Sequence, residues 1–208
     1  MLALAIATPC THALAQQKPA ATDDCPNDYD YSISVDYRDA KWQTKIRNIE
    51  FIHFNSDVEN LVKGQTMAAV GGDIEFLLRY VPNHHRALYS LVKLGLRDKT
   101  EMPFQTKPYT IICWLNRASV YSPDDGKVYL ITGIYLARLG RNDAALKALL
   151  DADRLIPEDS NVQYNLGLVY FDLKDYDQAL NRAKRAYQLG FPLPGLRNKL
   201  QQAGHWRE

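Results

Sequence analysis

Three histidines and a few carboxylates are the side chains of this sequence best suited to chemistry. His84 and His85 follow Pro82-Asn83, and His53 lies upstream, close to Asp57. Imidazoles beside a carboxylate could hold a zinc-like ion. The spacing argues against it, because neighbouring residues on a helix point about 100° apart and cannot easily share one ion. The expected arrangement has Asn83 capping a helix, with one histidine packed beneath the N-terminal segment and bonded to a backbone carbonyl. On this reading the chain holds no metal and no cofactor. A metal-binding accessory or envelope enzyme using His53, His84 and His85 is the alternative. The sequence contains no GxSxG, P-loop, HExxH or Rossmann glycine pattern. Gly64, Gly71 and Gly72 lack the Lys-Ser/Thr of a phosphate loop and read as turn residues. Asp124-Asp125 reads as an exposed helix start, where the helix dipole favours acids.

The three cysteines carry a different chemistry. Leu2 to Ala7 form a short apolar run, and Ala13-Leu14-Ala15 offers small residues where a signal peptidase would cut. No Lys or Arg precedes Lys18. Residues 1–15 are expected to be a signal peptide and 16–28 a mobile leader, which places the mature protein in the periplasm. Pro9 beside Cys10 makes a poor lipidation site, so lipid anchoring at Cys10 is not expected. Cleavage leaves Cys25 and Cys113, and two cysteines in an exported protein suggest one disulfide. In the chain-entropy model such a bond contributes roughly 4 to 5 kcal/mol. No CxxC spacing supports a redox or zinc motif. Net charge is +1, so no bulk attraction to nucleic acid or anionic lipid is implied. No apolar run is long enough to span a bilayer.

These residues must be positioned by helices, and the helices repeat. Shifted by 34 residues, Gly133 falls on Gly167, Leu139 on Leu173, Asp143 on Asp177, Ala145 on Ala179, Ala152 on Ala186 and Leu155 on Leu189. That period, with a small residue in one half and spaced alanines in the other, marks a stacked helix-turn-helix array. The segments "KVYLITGIYLARLGRNDAALKALLDADRLIP" and "NVQYNLGLVYFDLKDYDQALNRAKRAYQLG" each resemble a tetratricopeptide (TPR) repeat. Gly133 and Gly167 are expected where two helices cross closely, Gly140 as a left-handed C-cap, and Pro157 as a helix stop. Each unit leaves an apolar face open until its neighbour stacks on it. The fold class is therefore all-α: a TPR-type solenoid of about three repeats, with an irregular N-terminal extension and a C-terminal capping helix.

Ahead of the repeats, Tyr31, Ile33, Val35 and Tyr37 alternate with polar residues, as in a strand. With no second strand nearby, an extended segment docked along helices is expected. Trp42, Ile46, Ile49 and His53 then recur at helical spacing. Asn55 should end that helix, and Ser56-x-x-Glu59 reads as a capping box for a short helix through Val62. Asp73 reads as the N-cap of the next. Residues 29–81 are thus an extension with an incomplete first repeat, and 82–123 a repeat with an inserted loop. Residues 124–157 and 158–191 are regular repeats, and 192–208 a polar cap. The arrangement as a whole resembles small exported TPR proteins of proteobacteria.

In such an array the first helix of each repeat lines a groove. The outward positions there are Arg86, Tyr89 and Lys93, then Lys127, Leu130 and Ile134, then Asn161, Tyr164, Asn165 and Leu168. Cations, aromatics, amides and aliphatics without a carboxylate suit an extended peptide with an acidic or C-terminal carboxylate end. They loosely resemble the carboxylate-clamping TPR domains. The expected function is a non-catalytic protein- or peptide-binding adaptor of the cell envelope, with a structural subunit of an envelope assembly as a further alternative. No nucleic-acid partner is expected.

Overall fold

The computed structural model describes Cys25, residues 31–104 and residues 109–207. The expected signal peptide, Cys10, most of the expected mobile leader and residues 105–108 in the inserted loop of the 82–123 repeat lie outside the described residues. Ten α-helices form among the described residues, and no strand does: α1 (Gln43–His53), α2 (Ser56–Glu59), α3 (Val70–Tyr80), α4 (His85–Asp98), α5 (Ile111–Tyr121), α6 (Gly126–Arg138), α7 (Asn142–Leu155), α8 (Ser160–Asp172), α9 (Tyr176–Gln188) and α10 (Gly195–Gln202). The pairs α6–α7 and α8–α9 are the regular repeats. Before them α4 packs on both α3 and α5, and α1 packs on α3. After them α10 covers the open face of α8 and α9.

The alanine ladder explains the tight pairing. Ala145, Leu149 and Ala152 of α7, and Ala179, Ala183 and Ala186 of α9, have no exposed surface. A β-carbon on Gly133 would lie 2.5 Å from Leu149 Cγ, and one on Gly167 2.5 Å from Leu196 Cδ2. Both glycines sit in close crossings, as expected. The turn after α6 closes with Gly140 N–H on Ala137 O (3.0 Å) and Arg141 N–H on Leu136 O (2.9 Å). Those two bonds satisfy carbonyls that the helix end would leave orphaned.

The described part of the N-terminal extension is held at several points. Cys25 is disulfide-bonded to Cys113, 88 residues away. Residues 31–39 run as an irregular strap: Val35 N–H donates to Tyr80 O (2.9 Å), and its side chain is buried. The Tyr31 ring stacks on Tyr121 with centroids 5.5 Å apart. Buried Arg117 of α5 donates to Leu78 O and Arg79 O, closing the carbonyl end of α3.

Several local expectations are corrected. Asn55, not Ser56, caps α2, accepting the Val58 N–H (3.0 Å), and the helix stops at Glu59. Asp73 lies inside the first turn of α3 rather than before it. Its carboxylate accepts backbone N–H groups of Gln65, Thr66 and Met67 and so organises the preceding loop. Asp125 is buried, not exposed, and Asn83 leaves the capping of α4 to His84.

Candidate interaction surface

The chemistry-bearing side chains fall into three arrangements. The first holds the strap against the repeats. Asn83, with no exposed surface, accepts the Tyr37 N–H and donates both amide hydrogens, to Asp36 (2.8 Å) and Asp125 (2.9 Å). Its hydrogen-bonding capacity is nearly filled. Asp125 also accepts from His85 Nε2 (2.8 Å) and the Lys127 N–H. Arg38 bridges Asp36 and Asp124. Burial would raise the Asp36 carboxyl, but bonds from Arg38 and Asn83 outweigh it and hold the group well below the usual carboxylate range.

The second arrangement separates the histidines. His84 caps α4, accepting the Ala87 N–H on Nδ1 (3.1 Å) and donating from Nε2 to Glu50 (2.9 Å). It packs beneath Tyr37 of the strap, with centroids 4.2 Å apart, yet its partner is a carboxylate rather than a backbone carbonyl. His53 donates from Nδ1 to Asp73 (2.8 Å), and the Thr66 hydroxyl donates to the same oxygen. The three imidazoles thus serve three different carboxylates. Among the described residues, no group of three His, Cys, Asp or Glu side chains is arranged to hold a metal ion.

The third is the face of the first helices, where the structure divides the ten expected groove residues. On α4, Arg86 grips the Glu59 carboxylate through Nε (2.8 Å) and Nη2 and reaches Glu50 (3.3 Å). The Glu59 carboxyl is held below its usual value by Arg86. Ser90 and Lys93 both donate to Glu59 O (2.9 Å each), and Arg97 to Leu61 O (2.7 Å). Positions 86, 90, 93 and 97 form one helix face. That face clasps the α2 turn. Tyr89 remains exposed beside Lys93.

On α6 and α8 the face is more open. Lys127 pairs with Asp159, which also caps α8 through the Asn161 N–H (2.9 Å). Burial alone would raise the Asp159 carboxyl; the Lys127 bond and charge bring it down. Leu130 lies in the core, 5% exposed. Ile134, Tyr164, Asn165 and Leu168 are half-buried, and Asn161 is exposed. The Tyr164 ring stacks on Phe191 at 3.8 Å, and Asn165 donates to Asn161 O (2.8 Å). The face is therefore not free of carboxylates. Glu50, Glu59 and Asp159 reach it from helix ends and from α1 and α2, which a reading of first-helix positions alone does not see.

Two further residues escaped sequence reasoning. Phe51 and Ile52 of α1 are 82% and 48% exposed. The available signal was their position off the buried Ile46–His53 stripe, which marks a second apolar face on the same helix.

Residues 130–190 match a tetratricopeptide repeat family model. A solved structure of pilF from Pseudomonas aeruginosa superposes with a TM-score of 0.55 at 18% identity, covering 78% of this chain and 68% of that one. A structure of MamA (AMB-1) gives a TM-score of 0.45 at 18% identity, over 74% of this chain and 85% of that one. At such identities the likeness speaks for the fold alone. A search of curated protein sequences finds no match. The repeat match over residues 130–190 and the stacked helix pairs α6–α7 and α8–α9 agree in placing tetratricopeptide repeats in that part of the chain.

Proposed function

We propose that the protein is a non-catalytic adaptor of the cell envelope that binds an extended protein segment along the first-helix face of α6 and α8. The observation carrying this reading is the mixture left open there. Ile134 and Leu168 offer half-exposed apolar surface, while Asn161 and Asn165 present carboxamides able to bond a peptide backbone. An acidic or C-terminal carboxylate end is a second reading, favoured by Lys127, whose side chain is 41% exposed beside the strip. It requires Lys127 to exchange Asp159 for the ligand. The Cys25–Cys113 bond supports an oxidising compartment, hence the periplasm. No helix among the described residues is long and apolar enough to cross a membrane.

Photo-crosslinking in cells tests the reading. A reactive residue at Asn161 or Leu168 should capture the same protein, and one at Leu150 on the opposite face should not. Titration of that protein should then show Asn161→Ala or Asn165→Ala weakening binding about tenfold, the worth of one hydrogen bond left unmade. Lys127→Ala should change the salt dependence only if the ligand brings a carboxylate. Equal capture from Leu150 would remove the proposed face. A purely structural subunit would show capture from many faces and little effect of the asparagines.

A further inference from the structure

We propose a second docking site, separate from the α6–α8 face, for a protein segment that presents an apolar side chain within one or two residues of a carboxylate. The site is an open hollow of about 950 Å³ between α1 and the start of α4, walled by Arg47, Glu50, Phe51, Ile52, Gln65 and Arg86 among others, with the Glu50 carboxylate already paired to His84 and Arg86.

Phe51 is the most exposed large apolar side chain among the described residues, and Ile52 beside it is half exposed. Single exposed apolar residues are ordinary; two together on the rim of a concavity offer a small apolar surface that one ligand side chain would cover. The wall is built rather than loose. Gln65 accepts the Asn55 N–H on its side chain (3.0 Å) and donates to Phe51 O (2.6 Å), fixing the end of α1. Gln65 and Met67 are pinned in turn by backbone bonds to buried Asp73, which His53 holds from the other side. The His53–Asp73–Thr66 cluster is thus the foundation of the hollow. A fixed wall lowers the ordering cost of binding.

Charge names the occupant. Arg86 is satisfied by Glu59 and Glu50. Arg47 meets only the Thr44 hydroxyl (3.3 Å) among the described residues. It lies four residues before Phe51, on the same face of α1. An unpaired guanidinium beside an exposed aromatic ring selects a carboxylate next to an apolar side chain.

The test is amide NMR on the isotope-labelled, disulfide-intact protein, titrated with the peptide Ac-Gly-Leu-Glu-Leu-Glu-Gly-NH2. Two control peptides replace Leu by Ser or Glu by Lys. The acidic peptide should give saturable shifts at Phe51, Gln65 and Thr66, and each control should bind at least about tenfold more weakly. Phe51→Ser should abolish the shifts, and Arg47→Glu should reverse the preference towards the lysine peptide. Both side chains are exposed, so the melting temperature should hold and report a folded variant. The proposal is overturned by no saturable binding, by equal binding of the lysine peptide, or by shifts confined to α6 and α8. Phe51-dependent self-association in sedimentation would also overturn it, assigning the hollow to a second copy. Such a failure leaves the α6–α8 reading standing, since that one is read through Asn161 and Asn165.

Discussion

His84 makes two bonds that only one neutral tautomer can make, with Nδ1 accepting from Ala87 and Nε2 donating to Glu50. The imidazole has no exposed surface, and burial pushes its pKa below the ordinary histidine value. The unfolded chain therefore takes up a proton near pH 6.5 that the native protein refuses. Stability from this residue is present above that pH and is lost as pH falls towards the lower native value. Glu50, held low chiefly by the His84 bond, gives up its own share only in more acid solution. Melting temperature should thus fall between about pH 7.5 and 5.5, and His84→Asn, which keeps a capping side chain, should flatten that fall. The variant also leaves Glu50 short of a donor, at a cost of about 1–3 kcal/mol at neutral pH. A pH slope as steep in the variant as in the native protein would show that another group carries it. Networks of this kind were not legible in the sequence. Asp36, Asn83 and Asp125 meet across 47 and 42 residues, and nothing in their local context announces the meeting. Asp125 looked like an ordinary acid at a helix start because its burial is decided by a strap bound from elsewhere.

At the scale of the element, the repeat was readable because each unit writes the same packing problem twice. The same 34-residue register exposes a difference. Gly140 adopts φ +73° after α6, and its equivalent after α8 is Lys174 at φ +67°. The bonds are the same, with Lys174 N–H on Phe171 O and Asp175 N–H on Tyr170 O. A left-handed L-residue costs roughly 1–2 kcal/mol, offset in part by the greater chain entropy that glycine loses on folding. Lys174→Gly should therefore stabilise the protein by about 1 kcal/mol, read from urea denaturation. The two crossing glycines should differ from each other. A β-carbon at Gly133 meets Leu149 Cγ within its own helix pair, whereas one at Gly167 meets the tip of Leu196 on the capping helix. Gly133→Ala should cost about 1–3 kcal/mol, and Gly167→Ala less, because α10 can shift outward. Equal losses would mean that the cap is as rigid as the repeat. Helix starts were less legible than helix faces. Asp73 and Asn83 carry the right residue types for caps, but each spends its side chain on another segment.

On the scale of the molecule, apolar packing is divided along the solenoid. One cluster runs from Val35 to Tyr135 and contains Cys113, while others gather around α7 and α8 and around α9 and α10. The sequence indicated this order of units but not how the extension uses the first of them. The α4 face that periodicity marks as groove is filled by the protein's own α2 turn, because Glu59 offers Arg86 a carboxylate only after the chain has folded back. That asymmetry has a thermodynamic consequence. The Cys25–Cys113 bond closes a long loop entirely within the first cluster and contributes roughly 4 to 5 kcal/mol in the chain-entropy model. In a solenoid each unit touches only its neighbours, so a local loss spreads poorly. Reduction should therefore raise hydrogen exchange in α3, α4 and α5 while leaving α9 and α10 close to their oxidised rates. The strap should loosen less than a severed tether suggests, since Val35 stays buried and Asn83 still holds Tyr37 and Asp36. Exchange measured by mass spectrometry on oxidised and reduced protein, with Cys25→Ser/Cys113→Ser as the alkylation-free control, separates the possibilities. If uptake rose equally in peptides from 70–98 and from 176–202, the chain would unfold as one cooperative body. A rise confined to the first cluster would leave the α6–α8 face intact without the bond, so reduced protein should still bind whatever that face binds.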